Sequence, residues 1–170
     1  MSQIISVVPN VCEGRDEAFI EALRIRLWAV TGLTVLDVSM DQVRNRTIFS
    51  FTGTKDAIFE GGYLLYERAL DHIDMRQHQG EYPRIGAVDV FPFVALRHAP
   101  IATAVAWSVE FAEQVAARFQ LPVYLFAESA RRPMRRDIEN IREGEYEGFA
   151  AKIADPVWKP DFGPEQFPPD

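Results

Sequence analysis

Leu33-Thr34-Val35-Leu36-Asp37-Val38 and Thr47-Ile48-Phe49-Ser50-Phe51-Thr52 are two short runs rich in β-branched and aromatic residues. Such side chains favour a pleated strand, where branching at Cβ costs little and neighbours pack well. The polar-leaning residues between them, 39–46, read as a loop, so the pair predicts a long hairpin. Helical patterns flank it. Upstream, Phe19, Leu23, Leu27 and Val30 recur at helical spacing, Asp16 and Glu17 stand where a helix N-terminus favours negative charge, and Gly32 ends the run. Downstream, Thr54 is an N-cap, and Ala57, Gly61, Leu65, Ala69 and Ile73 fall four apart, a narrow small-residue face suited to lying close on a sheet.

Working outward, residues 3–9 read as a buried strand closed by turns at Pro9-Asn10 and Glu13-Gly14. Val88, Val90, Val94 and Leu96 form another, with Pro92 placing it at an edge or a bulge. Ala102, Val105, Val109, Ala112, Ala116 and Phe119 mark a third helix; residues 122–126 predict a strand, and residues 136–141 and 146–154 predict short helices. The expected fold class is α+β, an α/β sandwich with a ferredoxin-like βαββαβ core and an extra αβ, its sheet mixed or antiparallel and its helices on one face. Residues 1–154 would form the domain. Residues 155–170 hold five prolines and read as a linker.

Composition narrows the function. A chain of 170 residues, 48% apolar and 25% charged, is long enough to bury a core. A net charge of -7 argues against nucleic acid and against an anionic membrane surface, since both select for basic patches. The lone Cys12 cannot form an internal disulfide, no signal-peptide pattern opens the chain and no apolar run could span a bilayer, so cytoplasm is the expected compartment.

The chemistry-bearing stretch is His78-Gln79-Gly80-Glu81-Tyr82-Pro83-Arg84-Ile85-Gly86-Ala87-Val88-Asp89. It spends two glycines, a proline, an arginine and two acids between a helix and a strand, as a ligand-holding segment does. Gly80 and Gly86 read as backbone conformations other residues avoid. Arg84 is the best grip for a carboxylate, with an ion pair to Glu81 or Asp89 as the alternative. His72, Asp74 and His78 do not make a closed metal-ligand set, so no metal is expected. Arg131, Arg132, Arg135 and Arg136 read first as a solvated or helix-pairing face, and second as a field for an anionic ligand.

Together with Val8-Pro9-Asn10, Glu13-Gly14, Leu36-Asp37-Val38, Asn45-Arg46-Thr47, Pro92-Phe93, Pro122-Val123-Tyr124-Leu125, Arg142-x-Gly144-Glu145-Tyr146-Glu147 and Pro160-Asp161-Phe162-Gly163-Pro164, this stretch resembles the N-terminal subdomain of glutamate formimidoyltransferase (formiminotransferase) over essentially the whole chain. The resemblance implies one wall of a folate site, with a second subdomain or self-association supplying the other. It implies a transferase of histidine degradation and one-carbon metabolism that moves a formimino group from N-formiminoglutamate to N5 of tetrahydrofolate. It also implies site roles: Arg84 and Asn45 for substrate, Gly163, Pro164 and Phe167 for folate.

Two positions depart from the family. Tyr82 stands where the family has its catalytic histidine, and Ser39 where it usually has an acid. A phenol with an ordinary pKa near ~10 is ionised in only about one molecule per thousand at pH 7, a handicap of roughly 4 kcal/mol for a base. The usual activity is therefore expected to be absent or strongly reduced, leaving a protein that binds a folate-type or small anionic ligand. Two alternatives remain: an active transferase that uses His78 or Tyr82 with a partner chain, and an oligomerising interaction module that binds no folate.

Overall fold

In the computed structural model, which describes residues 4–166, the chain runs β1 (Ile5–Val7), β2 (Asn10–Val11), α1 (Glu17–Trp28), β3 (Leu33–Asp41), β4 (Arg46–Gly53), α2 (Lys55–His72), β5 (Val88–Val90), β6 (Phe93–Ala95), α3 (Ile101–Phe119), α4 (Ile138–Arg142) and α5 (Glu145–Ala154). It is an α+β fold. The described residues divide into two units, residues 4–82 with 86–104, and residues 83–85 with 105–166; α3 crosses the division near its start.

The first unit is built on the predicted hairpin. β4 pairs with β3 on one side and with β1 and β2 in succession on the other, while β6 and β5 extend the sheet beyond β1 and β2. All of these pairings are antiparallel, so the mixed sheet allowed by the sequence is not what forms. Strand alternation does the sorting: Thr47, Phe49 and Phe51 of β4 point inward, with Ile48 and Ser50 between them on the other face. Phe49 and Phe51 join Ile5, Val7, Leu23, Leu27, Ile58 and Leu65 in a core that excludes solvent almost completely. Each such side chain contributes about 1.5–3 kcal/mol on burial. Thr54 caps α2 as expected, accepting from the Ala57 amide, and Asp16, expected only as negative charge at the start of α1, is its cap and accepts from the Phe19 amide. Gly61 explains the small-residue face of α2, because a Cβ there would come within 2.9 Å of the Leu33 side chain.

Three local expectations change. Residues 39–46 are not all loop: Ser39 pairs with Ile48 and Asp41 with Arg46, leaving residues 42–45 as the connection. A register shift between Val35 and Asp37 pushes Leu36 out of line, where it is exposed. The turn expected at Pro9-Asn10 is instead a break between two strands. Pro92 lacks an N–H for the ladder, its carbonyl accepts from the Val8 amide, and both partner strands are interrupted together. Among the described residues no helix is long and apolar enough to cross a membrane.

The second unit buries Phe111, Val115, Leu125, Ile141, Phe149 and Ile153. The strand predicted at residues 122–126 reduces to one bridge, Val123 to Phe162, since no second neighbouring residue finds a pairing partner. A charged group is buried here as well. Arg135 is 1% exposed, and its guanidinium donates to Asp161 at 2.9 Å and to the carbonyls of Val157 and Lys159. The faces of Tyr124 and Trp158 lie 4.9 and 5.8 Å from it. Of the arginine group read as a solvated face, this member is instead a structural centre; Arg131 and Arg136 remain exposed. Burial pushes the Tyr124 phenol up to about 12, partly opposed by the Arg135 cation, and its hydroxyl donates to the Trp158 carbonyl.

Candidate functional site

Three connections of the first unit converge: residues 12–16 after β2, residues 41–46 of the hairpin turn, and residues 78–82 of the glycine-rich stretch. Asn45 ties them together. It adopts a left-handed backbone (φ 49°), which asparagine tolerates better than most residues, and is 7% exposed. Its Oδ1 accepts from the Gly14 amide at 2.9 Å, its Nδ2 donates to the Gln79 carbonyl at 3.0 Å, and its own carbonyl lies 2.9 Å from His78 Nε2. A carbonyl only accepts, so His78 carries its proton on Nε2 in this contact. Thr47 Oγ1 donates to the Glu13 carbonyl at 2.6 Å, and the Glu13 carboxylate accepts from the amides of Arg15 and Asp16.

Tyr82 ends this cluster. The Arg46 guanidinium lies 3.9 Å from the centre of its ring, a cation–π contact that fixes where the phenol stands. Asp41, two residues from Ser39, is engaged in the turn: it accepts from the Arg44 amide at 2.9 Å and from the Arg44 guanidinium at 2.6 Å. Those contacts hold its carboxyl below the usual range, first through the Arg44 amide and then through the side chain.

The glycines of the stretch need a different explanation from the expected one, because neither Gly80 nor Gly86 has a positive φ. At Gly80 the constraint is proximity: a Cβ would stand 2.2 Å from the Arg44 carbonyl oxygen. At Gly86 the nearest atom to such a Cβ is 3.8 Å away. Gly80→Ala is accordingly expected to destabilise by about 1–3 kcal/mol, as overpacking against backbone does, while Gly86→Ala is expected to change stability by less than ~1 kcal/mol. Urea midpoints of the two variants provide the comparison, and equal midpoints would contradict the contact at Gly80.

Arg84 belongs to the second unit and is 6% exposed. Its ion pairs run to Glu147 and Glu145. Glu147 takes it as a fork, Oε2 accepting from Nη1 and Oε1 from Nη2, both at 2.8 Å, and Glu145 accepts from Nη1 at 2.7 Å. Glu147 is the larger influence in holding the guanidinium above its ordinary pKa. The Arg142-x-Gly144-Glu145-Tyr146-Glu147 segment was legible as a motif, but its role as the partner of Arg84 carried no local signal. Gly163, with φ 87°, sits against the Leu121 carbonyl so closely that a Cβ would be 1.9 Å away. Pro164 beside it is half-buried, and Phe167 lies outside the described residues.

The remaining candidates have ordinary roles. His72 Nε2 is 3.2 Å from Asp16, and its ring stacks on Phe19 at 3.8 Å. Asp74 binds Arg76 and Gln77, contacts that lower its carboxyl to about 2, and Cys12 is buried. No group of acids, histidines and cysteines suited to a metal occurs among the described residues.

The chain is thus an antiparallel α+β domain whose connections meet at Asn45 and at the Gly80–Tyr82 stretch. The model of the formiminotransferase domain, N-terminal subdomain, matches residues 4–170, and the chain belongs to that family. It is 40% identical over 169 residues to the formimidoyltransferase-cyclodeaminase of Gallus gallus, covering 99% of this chain and 31% of that protein. It is 38% identical to the enzyme of the same name from Dictyostelium discoideum, covering 32% of it. It is 35% identical to the glutamate formimidoyltransferase of Streptococcus pyogenes serotype M1, again over 99% of this chain but 56% of the relative. The chain thus spans between about a third and just over half of these relatives.

Proposed function

We propose that this chain is the N-terminal half of a folate-binding formimidoyltransferase site with a degenerate catalytic centre. It binds a folate-type or small anionic ligand, and it transfers the formimino group of N-formiminoglutamate to tetrahydrofolate weakly or not at all. A second subdomain completes the site, a reading supported by the share of each relative that this chain covers. Arg84 and Asn45 serve the substrate side, and Gly163, Pro164 and Phe167 the folate side. One observation supports the degenerate centre: in a stretch whose other residues resemble the family motif, the ring under Arg46 is the phenol of Tyr82. A phenol at neutral pH donates a hydrogen bond but is a poor proton acceptor.

Isothermal titration with folinic acid tests the binding half of this reading. Heat of binding is expected from this chain, alone or mixed with a formiminotransferase second subdomain; no heat in either preparation would sink it. The fixed ring of His78 favours a second reading, an active transferase in which that imidazole moves the proton. Wild-type turnover that His78→Gln abolishes, with the folded state intact by circular dichroism, would select this reading over the first.

A further inference from the structure

We infer that Glu147 is an internal stand-in for a ligand carboxylate on Arg84, and that a dicarboxylate of the glutamate type binds by displacing it. This rests on the reading of Arg84 as a substrate grip and adds the residue that competes for it. Three features of the second unit support the exchange. First, the Arg84 side chain is 7% exposed, so the guanidinium cannot go unpaired without leaving a buried charge uncompensated. Second, its two carboxylate partners are not equivalent. Glu145 is set by the backbone: it follows Gly144 (φ 89°) and itself has φ 54°, an arrangement costly for a side chain-bearing residue. Glu147 stands on the first turn of α5 with its side chain 65% exposed, so it can swing into water while keeping the helix. Third, the contact that Glu147 makes is the two-oxygen fork by which a ligand carboxylate binds arginine.

Exchange therefore conserves the bonding around Arg84. The ligand carboxylate accepts from Nη1 and Nη2 as Glu147 did, Glu145 keeps its single contact, and the displaced carboxylate gains hydration. No proton or covalent bond changes hands. The N-terminal first turn of α5 favours negative charge whether it comes from Glu147 or from the ligand.

The test is titration of L-glutamate into the chain, with and without the second subdomain, at near-physiological salt, followed by NMR. Glu147→Gln is expected to bind L-glutamate about tenfold more tightly than wild type, because an amide competes for the fork far less well than a carboxylate. Glu139→Gln, which removes an equal charge from an exposed position on α4, is expected to stay within about twofold, since salt screens exposed charges. Arg84→Lys together with Glu147→Gln is expected to lose the gain. Should that double variant not fold, the comparison of Glu147→Gln with Glu139→Gln still decides. Equal affinities in wild type and Glu147→Gln, or equal gains in both glutamine variants, would overturn the exchange. If folinic acid binds while Glu147→Gln shows no gain for L-glutamate, the exchange is wrong and the folate reading stands. If Glu147→Gln shows the gain and folinic acid does not bind, the converse holds; if neither ligand binds any variant, both are wrong.

Discussion

Tyr82→His is expected to raise formimino transfer from N-formiminoglutamate to tetrahydrofolate by about 10²- to 10⁴-fold, the usual span for supplying a positioned acid–base group. The assay needs the second subdomain present. The argument rests on where the ring stands. With Arg46 3.9 Å from the ring centre, an imidazole placed there would meet a cation, which disfavours its charged form. Its pKa should fall below the ordinary ~6.5, so the neutral base is the populated form at pH 7. The rate should therefore climb as pH rises through that lowered value and level off before neutrality. Ser39→Asp is the natural companion change, because Ser39 lies in β3 and Asp41 is already committed to Arg44. No gain from Tyr82→His, alone or with Ser39→Asp, would show that the site has drifted further than its two altered positions.

Asp161→Ala is expected to cost the second unit about 3–5 kcal/mol, the penalty for stranding a buried charge. Arg135 is almost wholly enclosed, the Asp161 side chain is 6% exposed, and the same carboxylate oxygen also accepts from the Leu125 amide. Removing it leaves Arg135 with two carbonyls and two aromatic faces but no counter-charge. The Nε of Arg135 already has no hydrogen-bond partner, so little slack remains. Asp161→Asn keeps an oxygen acceptor and should lose less. Arg135→Met with Asp161→Leu removes both charges and should come closer to wild type than either single change. Urea denaturation reads all three; a loss under ~1 kcal/mol for Asp161→Ala would mean that water reaches the pair.

The hairpin, α1 with its acidic start, α2 with its Thr54 cap and the small-residue face of α2 were all legible because each is a local pattern. Side-chain alternation and capping act within a few residues, and the sequence displays them directly. The strand ends were less legible. Asp41 and Ser39 are polar and read as loop, yet pairing with Arg46 and Ile48 extends β3 through them. Residues 122–126 fail in the opposite direction, with strand-forming side chains but only a bridge to Phe162. Strand formation depends on a partner, and a partner far along the chain leaves no local trace.

The stretch from His78 to Asp89 pointed to a family, and the family model matches residues 4–170. Chemical identity at a position is local information, so the sequence by itself determined the family and the hairpin with its two flanking helices. What surrounds those positions was decided by tertiary structure. Arg46 over Tyr82, Asn45 joining three connections, Glu147 on Arg84 and Asp161 on Arg135 are contacts between residues 26 to 63 positions apart, most of them charged or amide groups that the sequence could equally have left in water. Only folding chooses which charges are buried together, because desolvation forces each enclosed polar group to take whatever partner the packed chain brings within reach.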